Sequence, residues 1–258
     1  MEKEINTIQK FYQTEKALVT SPFIDQTGKF NRELMATVFN RLGIKTDKKT
    51  VADVGCGTGL LARYFVSDNF YIGLDLVRHE TLPALGDRQH TFIQADAQCN
   101  PLQAQSVDFL LCLDSFEHYP DQVKAAREFF RVLRPGGYMF LSIPTYANVA
   151  GIVKRTLEES GSYARNSWAP FDYWKPEALE HYITPRKIRN IFRTAGFKEF
   201  SMIGYDREVV VGLFPWIWHP NCPRLAAAII SRFFRVIAGP LVRIHPAASL
   251  HTFWKIVK

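Results

Sequence analysis

The chain has 258 residues, 47% of them hydrophobic and 22% charged, and its formal net charge at pH 7 is +7. This composition fits one large α/β domain, or such a domain with an elaborated lid, and it is ample for a hydrophobic core. The four cysteines are widely spaced and form no CxxC pair, so we expect reduced thiols and exclude a disulfide framework or a zinc site.

Residues 1–50 predict helices that lead into the fold as an N-terminal helical cap. The clearest amphipathic segment is Phe30–Leu42. Residues 1–16 are polar and mixed in charge, and they contain no apolar stretch of the signal-peptide type. We therefore expect a cytoplasmic protein. Tyr12, in the leading helix, is a candidate to fold over a bound ligand.

Strand and helix patterns alternate regularly after this cap. The strand candidates are Thr50–Val54, Phe70–Leu74, Thr91–Gln94, Val107–Cys112, Tyr138–Ile143 and Phe197–Ile203. The helical stretches between them are Leu60–Val66, Gln122–Val132 and Pro185–Ala195. Apolar strands that alternate with helices indicate an α/β fold, in which a mostly parallel sheet is covered by helices on both faces. The turn signals Pro135-Gly136-Gly137 and Gly196 predict where two of these helices end.

Two segments interrupt this rhythm. Residues 146–182 are rich in Gly, Ser, Trp and Pro and follow the carboxyl end of a strand, which favours a lid or substrate segment within a core of residues 51–204. The last part of the chain allows two final strands, Glu208–Gly212 or His251–Val257. We favour the second, which gives seven strands and makes Tyr205–Ser249 an insertion.

The stretch VADVGCGTGLLARYF, residues 51–65, passes from a strand into a glycine-rich bend and then into helix formers. Gly55 and Gly57 let the backbone touch a ligand, and the helix start offers free N–H donors, as adenosine ligands require. The next strand ends at Asp75, where a carboxylate can accept both ribose hydroxyls. A third strand ends just before Asp96. Three successive strands therefore present ligand-facing groups at one edge of the sheet.

A carboxylate also stands directly before the bend. A dinucleotide site prefers the spacing GxGxxG, with a helix dipole that faces a pyrophosphate. Here the order is Asp53-Val-Gly55-Cys-Gly57-Thr-Gly59, and a carboxylate in this place suits an ammonium and a sulfonium better than phosphates. The bend is therefore predicted to hold a cationic nucleoside.

With these motifs the sequence resembles the class I S-adenosylmethionine-dependent methyltransferases over about residues 35–204. VADVGCGTG resembles the first motif of that family, YIGLDL its acidic second motif and FIQADAQCNPL its adenine-contacting third. SVDFLLCLDSFEHYPD is similar to the fourth strand and its loop, RVLRPGGYMFLSIP to the fifth-strand motif, and YITPRKIRNIFRTAGFKEF to the helix and sixth strand that follow. The resemblance implies a Rossmann-like fold, S-adenosylmethionine as cofactor and S-adenosylhomocysteine as product.

The resemblance also implies which residues bind the cofactor. Asp53, Gly55 and Gly57 would line the methionine moiety, and Asp75 would bind the ribose hydroxyls. Asp96 and the backbone of Ala97 would contact the adenine amine. Asp114 follows the fourth strand, beside the methionine end and the substrate, and a helix N-cap explains it equally well. The implied set is Asp53, Gly55, Gly57, Asp75, Asp96, Ala97 and Asp114.

Methyl transfer is an in-line displacement, so the alignment of donor and acceptor supplies much of the catalysis. A hydroxyl acceptor also needs a base or a metal ion to remove its proton. The segment Asp114-Ser-Phe-Glu117-His118 lies where sheets of this type bind ligands, and it is our candidate catalytic segment.

Three hypotheses for this segment stay open. In the first, Glu117 and His118 only cap and orient the loop. In the second, His118 is a general base, the commonest role of histidine in catalysis. In the third, Asp114, Glu117 and His118 hold a divalent cation, because their spacing resembles the ExxEH of the ubiquinone-pathway O-methyltransferases. Asp stands where that pattern has its first Glu, and we assign no metal ligand.

Residues 205–258 are basic, apolar and aromatic. No Asp or Glu follows Glu208, whereas Arg and Lys supply six positive charges. Residues 224–239 predict a helix with an apolar body and arginines along one side, too short and too charged to span a bilayer and typical of a helix at an anionic membrane surface. An equally good hypothesis is that the segment covers the sheet edge or forms a dimer contact, so an oligomer stays open. Nothing in it resembles a nucleic-acid recognition module.

We predict an enzyme that methylates a hydrophobic or lipid-like small molecule, in the cytoplasm or peripherally on the inner face of a membrane. We expect oxygen as the acceptor atom, and carbon and nitrogen stay open as alternatives. One alternative is a soluble natural-product methyltransferase whose tail is a lid or a dimer arm. Another is a non-catalytic partner subunit that binds the cofactor. The intact carboxylates Asp53, Asp75 and Asp96 speak against a degenerate site.

Overall fold

A computed structural model describes residues 2–14, 21–24, 29–47, 49–65, 68–78, 90–159, 179–218 and 222–258. Its strands are β1 (Thr50–Val54), β2 (Phe70–Asp75), β3 (His90–Gln94), β4 (Val107–Leu113), β5 (Leu133–Pro144), β6 (Glu199–Gly204) and β7 (His251–Val257). Its helices are α1 (Glu2–Thr14), α2 (Arg32–Leu42), α3 (Gln122–Val132), α4 (Val149–Glu159), α5 (Pro185–Ala195), α6 (Val209–Leu213) and α7 (Arg224–Ile244).

The seven strands form one sheet in the order β3-β2-β1-β4-β5-β7-β6. β1 to β5 run parallel, whereas β7 is antiparallel to both of its neighbours, β5 and β6. The predicted seven-stranded, mostly parallel sheet is therefore confirmed. The final strand is His251–Val257, as favoured from the sequence, and the competing segment Glu208–Gly212 runs from a 3-10 turn into α6 instead.

Apolar layers cover both faces of the sheet, as a parallel sheet requires. One layer packs against α3 and α5, and the other packs against α2 and the segment after β1. Neighbouring residues of β1 show the division, because Val51 belongs to the α2 layer and Ala52 to the α3 layer, and both are 0% exposed. Burial on both sides explains why the central strands have no polar face in the sequence.

Two helices have the ends that their capping residues predict. α5 begins after Thr184, whose hydroxyl accepts the N–H of Lys187 at 3.3 Å, and it ends at Gly196 with a φ of 113°. α3 begins after Asp121, whose carboxylate accepts the N–H of Lys124 at 2.9 Å. The end of α3 does not depend on Pro135-Gly136-Gly137, because the helix stops at Val132 and these residues lie inside β5.

Two elements differ from the sequence predictions. The helix expected over Leu60–Val66 is only a 3-10 turn at Ala62–Tyr64, which suffices to bury Phe65 in the core; Val66 lies outside the described residues. The proposed lid, residues 146–182, contains α4, and its residues 160–178 lie outside the described residues. A cap signal for α4 was present, because the side chain of Asn148 accepts the N–H of Gly151 at 3.0 Å.

The tail helix is longer than the sequence suggested. α7 covers 21 residues and continues through Pro240 to Ile244, instead of ending at residue 239. By length and composition it could cross a membrane, so the argument that it is too short was wrong. Between Gly204 and His251, α6 and α7 occupy the predicted insertion.

Candidate functional site

The strand order changes direction between β1 and β4. From β1 the chain continues to β2 and β3 on one side, and from β4 it continues to β5 on the other. In open α/β sheets, ligands bind in the crevice outside the carboxyl ends of the strands at such a switch point. The glycine bend follows β1 and the segment of Asp114 follows β4, so both candidate segments meet at this crevice.

The glycine bend turns tightly under the end of β2. The N–H groups of Gly55 and Cys56 donate to the carbonyl of Leu74 at 2.8 and 3.1 Å, and Gly55 and Gly57 have φ values of 80° and 52°. Only glycine adopts such angles easily. A Cβ on Gly55 would lie 2.5 Å from Oγ of Ser115, whereas a Cβ on Gly57 would meet nothing within 4 Å. Gly55 thus lets the two segments approach, and Gly57 leaves open space for a ligand against the backbone.

Asp75 lies at the mouth of this bend. Its Oδ2 accepts the N–H of Gly57 at 2.7 Å, and its Oδ1 accepts the N–H of Val77 at 2.9 Å. The carboxylate is half-buried and held on both oxygens by backbone donors. Each oxygen keeps a further acceptor position, which suits a pair of ribose hydroxyls.

Asp53 lies below the bend and is 1% exposed. Its Oδ2 accepts a hydrogen bond from the Tyr71 hydroxyl at 2.5 Å. Burial raises the pKa of Asp53 from 3.8 to about 7, against the effect of this hydrogen bond, and the nearby charge of Asp75 raises it further. The carboxylate is thus turned toward Tyr71, and the expectation that it lines the methionine moiety stays a prediction.

Asp96 follows β3 and caps the 3-10 turn at Ala97–Cys99. Its Oδ1 accepts from the backbone and side-chain nitrogens of Gln98 at 2.9 and 3.0 Å. The N–H of Ala95 donates to the carbonyl of Asp75 at 2.8 Å, which joins this turn to the mouth of the bend. The adenine role of Asp96 and Ala97 stays a prediction; the structure places both at the same edge of the sheet as Asp75.

Asp114 adopts a φ of 46°, unusual for a residue other than glycine. It does not act as the N-cap that the sequence allowed, because its Oδ1 accepts from the Ser142 hydroxyl at 2.8 Å and Ser115 precedes the following turn. Its Oδ2 is buried and makes no hydrogen bond of ordinary geometry with the described residues. Burial raises the pKa of Asp114, and the charge of His251 and hydrogen bonds from the side chains of Ser21 and Ser142 oppose this shift. Burying a polar atom without a hydrogen bond costs free energy, and a bound molecule that donates a hydrogen bond to it would offset this cost.

The side chains of Glu117 and His118 lie next to each other. Glu117 is 3% exposed, and its Oε1 is 3.8 Å from Nε2 of His118. The other ring nitrogen, Nδ1, is 2.7 Å from the carbonyl of Leu179 and must carry a proton, because a carbonyl can only accept. In the neutral imidazole, Nε2 is then the unprotonated nitrogen, the form that a general base requires.

The side chains of Asp114, Glu117 and His118 do not converge on one point that a metal ion could occupy. Asp114 is bonded to Ser142, whereas Glu117 faces His118. Among the residues that the structure describes, no group of three or more His, Cys, Asp and Glu side chains is arranged to hold a metal. The divalent-cation hypothesis stays a hypothesis from the sequence.

The structure adds two residues that the sequence did not indicate. Nδ1 of His251, at the start of β7, is 2.6 Å from Oε2 of Glu208, and its Nε2 is 3.6 Å from Oδ1 of Asp114. Burial alone would lower the pKa of His251, but the two carboxylates outweigh it and raise the pKa to about 9. A charged imidazolium therefore lies between Glu208 and Asp114. No motif marks either residue, and only their tertiary contact reveals them.

A second ion pair involves residues just beyond β5 and before α5. Nζ of Lys154, on α4, is 3.2 Å from Oε2 of Glu180, and the Tyr146 hydroxyl also donates to Glu180. The rings of Tyr146 and Tyr182 stack with centroids 5.2 Å apart. Tyr146 is 2% exposed and packs with Ala150 and Leu250, so these residues form a small core just beyond the end of β5.

The first helix lies across one side of the crevice. The side-chain amide of Gln9 donates to the carbonyl of Leu76 at 3.3 Å, and the ring of Tyr12 packs edge-on against His118 at 6.1 Å. α1 therefore bridges the ends of β2 and β4, which is the position in which Tyr12 would cover a bound ligand.

Comparison with known proteins points in the same direction. A family model described as a methyltransferase domain matches residues 28–201. The ubiquinone biosynthesis O-methyltransferase of Serratia proteamaculans is 34% identical over 105 residues, which cover 36% of this chain and 42% of that protein. The match thus spans less than half of that relative. The 27-O-demethylrifamycin SV methyltransferase of Amycolatopsis mediterranei is 25% identical over 199 residues, covering 59% of this chain and 73% of that protein.

Solved structures share the fold at low sequence identity. Phosphoethanolamine N-methyltransferase 2 of Haemonchus contortus, solved with S-adenosylhomocysteine, has a TM-score of 0.63 at 16% identity, over 97% of this chain and 60% of that one. A possible histamine N-methyltransferase of Thermotoga maritima has a TM-score of 0.54 at 14% identity, over 100% and 97% of the chains. Since the methyltransferase model covers most of the chain and the fold agrees, the chain belongs to the class I S-adenosylmethionine-dependent methyltransferase family.

Proposed function

We propose that the protein transfers a methyl group from S-adenosylmethionine to an oxygen atom of a hydrophobic or lipid-like small molecule at a membrane surface. The observation that carries this proposal is the meeting of two segments at the switch point of the sheet. The open glycine bend with Asp75 lies on one side, and Asp114 with His118 lies on the other. On this proposal, a donor site and a proton acceptor would share one crevice.

The described residues suit the cofactor. The open backbone at Gly57 admits a ligand, Asp75 offers acceptors to the ribose, and Asp96 with Ala97 lies where adenine would be held. When bound, S-adenosylmethionine supplies a methyl group on a positively charged sulfur. Oδ2 of Asp114, buried at the end of β4, offers an acceptor to the ammonium of the cofactor or to the substrate.

On the acceptor side, His118 would receive the hydroxyl proton. Its Nδ1 is held by the carbonyl of Leu179, so the lone pair of the neutral ring is on Nε2. Glu117 lies beside this nitrogen and would stabilise the imidazolium that forms. His251 and Ser142 would hold Asp114 in place.

Two observations support a hydrophobic acceptor. The tail of the chain exposes an apolar helix, α7. Both relatives named above carry large apolar molecules in their names, ubiquinone and a rifamycin. We accordingly infer a protein of the cytoplasm that works peripherally at the inner face of a membrane, with no nucleic-acid partner.

The similarity to the rifamycin enzyme favours a second candidate. The match to this chain covers 73% of the rifamycin enzyme, whereas it covers 42% of the ubiquinone enzyme. A soluble natural-product methyltransferase, with α7 as a lid or dimer arm, would share the same chemistry. A non-catalytic cofactor-binding subunit is the third candidate. The well-formed environment of Asp75 speaks against a degenerate cofactor site, and methyl transfer by the isolated protein would distinguish an enzyme from such a subunit.

Transfer of a labelled methyl group from S-adenosylmethionine into fractionated cell extract tests the function. We expect label in the hydrophobic fraction. Because Asp75→Ala removes a charged hydrogen-bond acceptor, it should weaken cofactor binding in calorimetry by at least tenfold. His118→Ala should leave that binding intact and slow transfer by about 10²-fold or more.

Asp68→Ala is the matched control, because it removes one exposed carboxylate at the opposite end of β2. It should behave like the wild type in both assays. Absence of cofactor binding in the wild type would reject the assignment as a whole. Label found only in protein or RNA would reject the small-molecule acceptor, and normal turnover in His118→Ala would reject the base.

A further inference from the structure

α7 is an apolar helix that the rest of the protein hardly covers. Its most apolar 18-residue window has a mean hydropathy of 1.7, and only 11% of that window is buried. Large side chains on it are exposed by 60 to 76%. These residues, which we call the outer stripe, are Leu225, Ile229, Phe233, Val236 and Ile244. Soluble proteins rarely leave a contiguous apolar surface of this kind in water.

The outer stripe follows one face of the helix. Leu225, Ile229, Phe233 and Val236 are spaced by four, four and three residues, so their side chains lie one above the other. The opposite face carries Ala238 and Val242, which are buried against Val209 of α6. The helix is therefore anchored to the protein along one side and presents the stripe outward.

Four exposed arginines border this stripe. Arg224, Arg232, Arg235 and Arg243 each precede a stripe residue by one position, which places them about 100° around the helix, on one flank. No acidic residue follows Glu208 in the chain. An apolar face flanked by arginines matches the acyl and headgroup layers of an anionic bilayer, since long basic side chains reach up to the phosphates.

We propose that α7 docks on an anionic bilayer surface, with its axis in the membrane plane and the outer stripe among the acyl chains. The helix does not span the bilayer, because both of its ends belong to the same folded unit. The chain comes to α7 from β6 and returns to β7, and these two strands are neighbours in the sheet.

The docked helix lies next to the acceptor side of the site. α7 packs against the 3-10 turn that carries Glu208, and Glu208 in turn bonds to His251 beside Asp114. Docking would therefore bring the acceptor side close to the lipid. This part of the inference rests on the proposed function, whereas bilayer binding itself does not.

Flotation of the full chain with vesicles tests the docking. Wild-type protein should float with vesicles of phosphatidylglycerol and phosphatidylcholine at low salt, and at least tenfold less with phosphatidylcholine alone. Ile229→Ser with Phe233→Ser should reduce flotation at least tenfold at low and at high salt. Arg232→Gln with Arg235→Gln should reduce it mainly at low salt, because salt screens the charge contribution.

Matched controls separate the stripe from general effects. Phe70→Ser changes an exposed ring (43%) at the start of β2, on the far side of the sheet from β6, and Arg41→Gln with Arg127→Gln removes the same charge from α2 and α3. Both controls should float like the wild type. Failure of the wild type to float, or equal losses in the controls, would overturn the proposal.

Two further measurements complete the test. A wild-type dimer that the stripe variants convert to monomers, without vesicle binding, would show a dimer arm and overturn the docking. Resistance to alkaline carbonate extraction would overturn the in-plane orientation. Cofactor binding and methyl transfer to a detergent-dispersed extract are measured on the same proteins. Flotation without transfer would then reject only the proposed function, and transfer without flotation would reject only the docking.

Discussion

Single residues at this site have protonation states that their neighbours set. Asp53 is a carboxyl group in the core with a tyrosine hydroxyl as its partner, and His251 is an imidazole held between two carboxylates. Both pKa values are raised, so in both cases the folded state binds its proton more tightly than the unfolded state. Two pH dependences of stability follow.

For Asp53, stability should fall as the pH rises. The pKa rises from 3.8 to about 7 on folding, mainly through burial, so the contribution is complete below pH 4 and is lost between pH 4 and 7. The loss is roughly 4 kcal/mol as an upper figure. Asp53→Asn cannot ionise, and its melting temperature should decline less than that of the wild type over this range.

Thermal melts at pH 5 and pH 7.5 provide the measurement. Asp108→Asn is the control for sign, because backbone and arginine partners outweigh partial burial and lower the pKa of Asp108. That contribution is complete above pH 4 and is lost only below it, so Asp108→Asn should lower the melting temperature by the same amount at pH 5 and at pH 7.5. Parallel curves for wild type and Asp53→Asn would contradict the buried, protonated carboxyl group.

For His251, the window lies at higher pH. Its pKa rises from 6.5 to about 9, so its stabilising contribution is complete below pH 6.5 and is lost as the pH rises through 9. The full effect is roughly 3 kcal/mol. His251→Gln should therefore be less stable than the wild type at pH 6, and the difference should shrink by pH 9.5 in urea titrations.

His245→Gln provides the comparison, since this exposed histidine lies six residues earlier in the chain. His245→Gln should have the same free energy of unfolding as the wild type at pH 6 and at pH 9.5. A constant difference between wild type and His251→Gln would mean that the imidazolium pair with Glu208 contributes nothing in solution.

At the scale of elements, local signals worked wherever a helix end depends on one residue. Thr184 and Gly196 bound α5 as their side-chain and backbone properties predict. The local signals gave a wrong prediction for Leu60–Val66, where a helix was expected. The packing of Phe65 in the core needs only a single 3-10 turn there. The local signals also failed for α7, because a proline near the end of a long helix removes one donor without ending the helix.

Two glycines of different setting should respond oppositely to alanine. Gly196 has a φ of 113°, and a Cβ there would lie 2.9 Å from Phe130, so Gly196→Ala should cost about 1–3 kcal/mol. Gly239 lies inside α7, where an added Cβ would meet nothing within 4 Å. Gly239→Ala should therefore raise the free energy of unfolding, by about 1 kcal/mol at most. Chemical denaturation measures both, and equal signs would contradict the assigned cap.

Across the whole molecule, the sheet order determines which residues share the crevice. The reversal between β1 and β4 brings the glycine bend to the segment of Asp114. The insertion of β7 between β5 and β6 then brings His251 to the same edge, across from Pro144. Residues 137 positions apart in the chain, Asp114 and His251, thereby become an ion pair.

The alternation of strands and helices, the glycine bend and the carboxylates that follow β2 and β3 could all be predicted from the amino-acid sequence. Each of these is a local pattern, set by side-chain periodicity and by backbone angles that glycine favours. Three features became visible in the folded chain alone: Asp53 is buried against Tyr71, Glu208 and His251 support Asp114, and α7 leaves the outer stripe uncovered. The reason is physical, because burial and ion pairing depend on strands and helices far apart in the chain, whose pairing leaves no local trace.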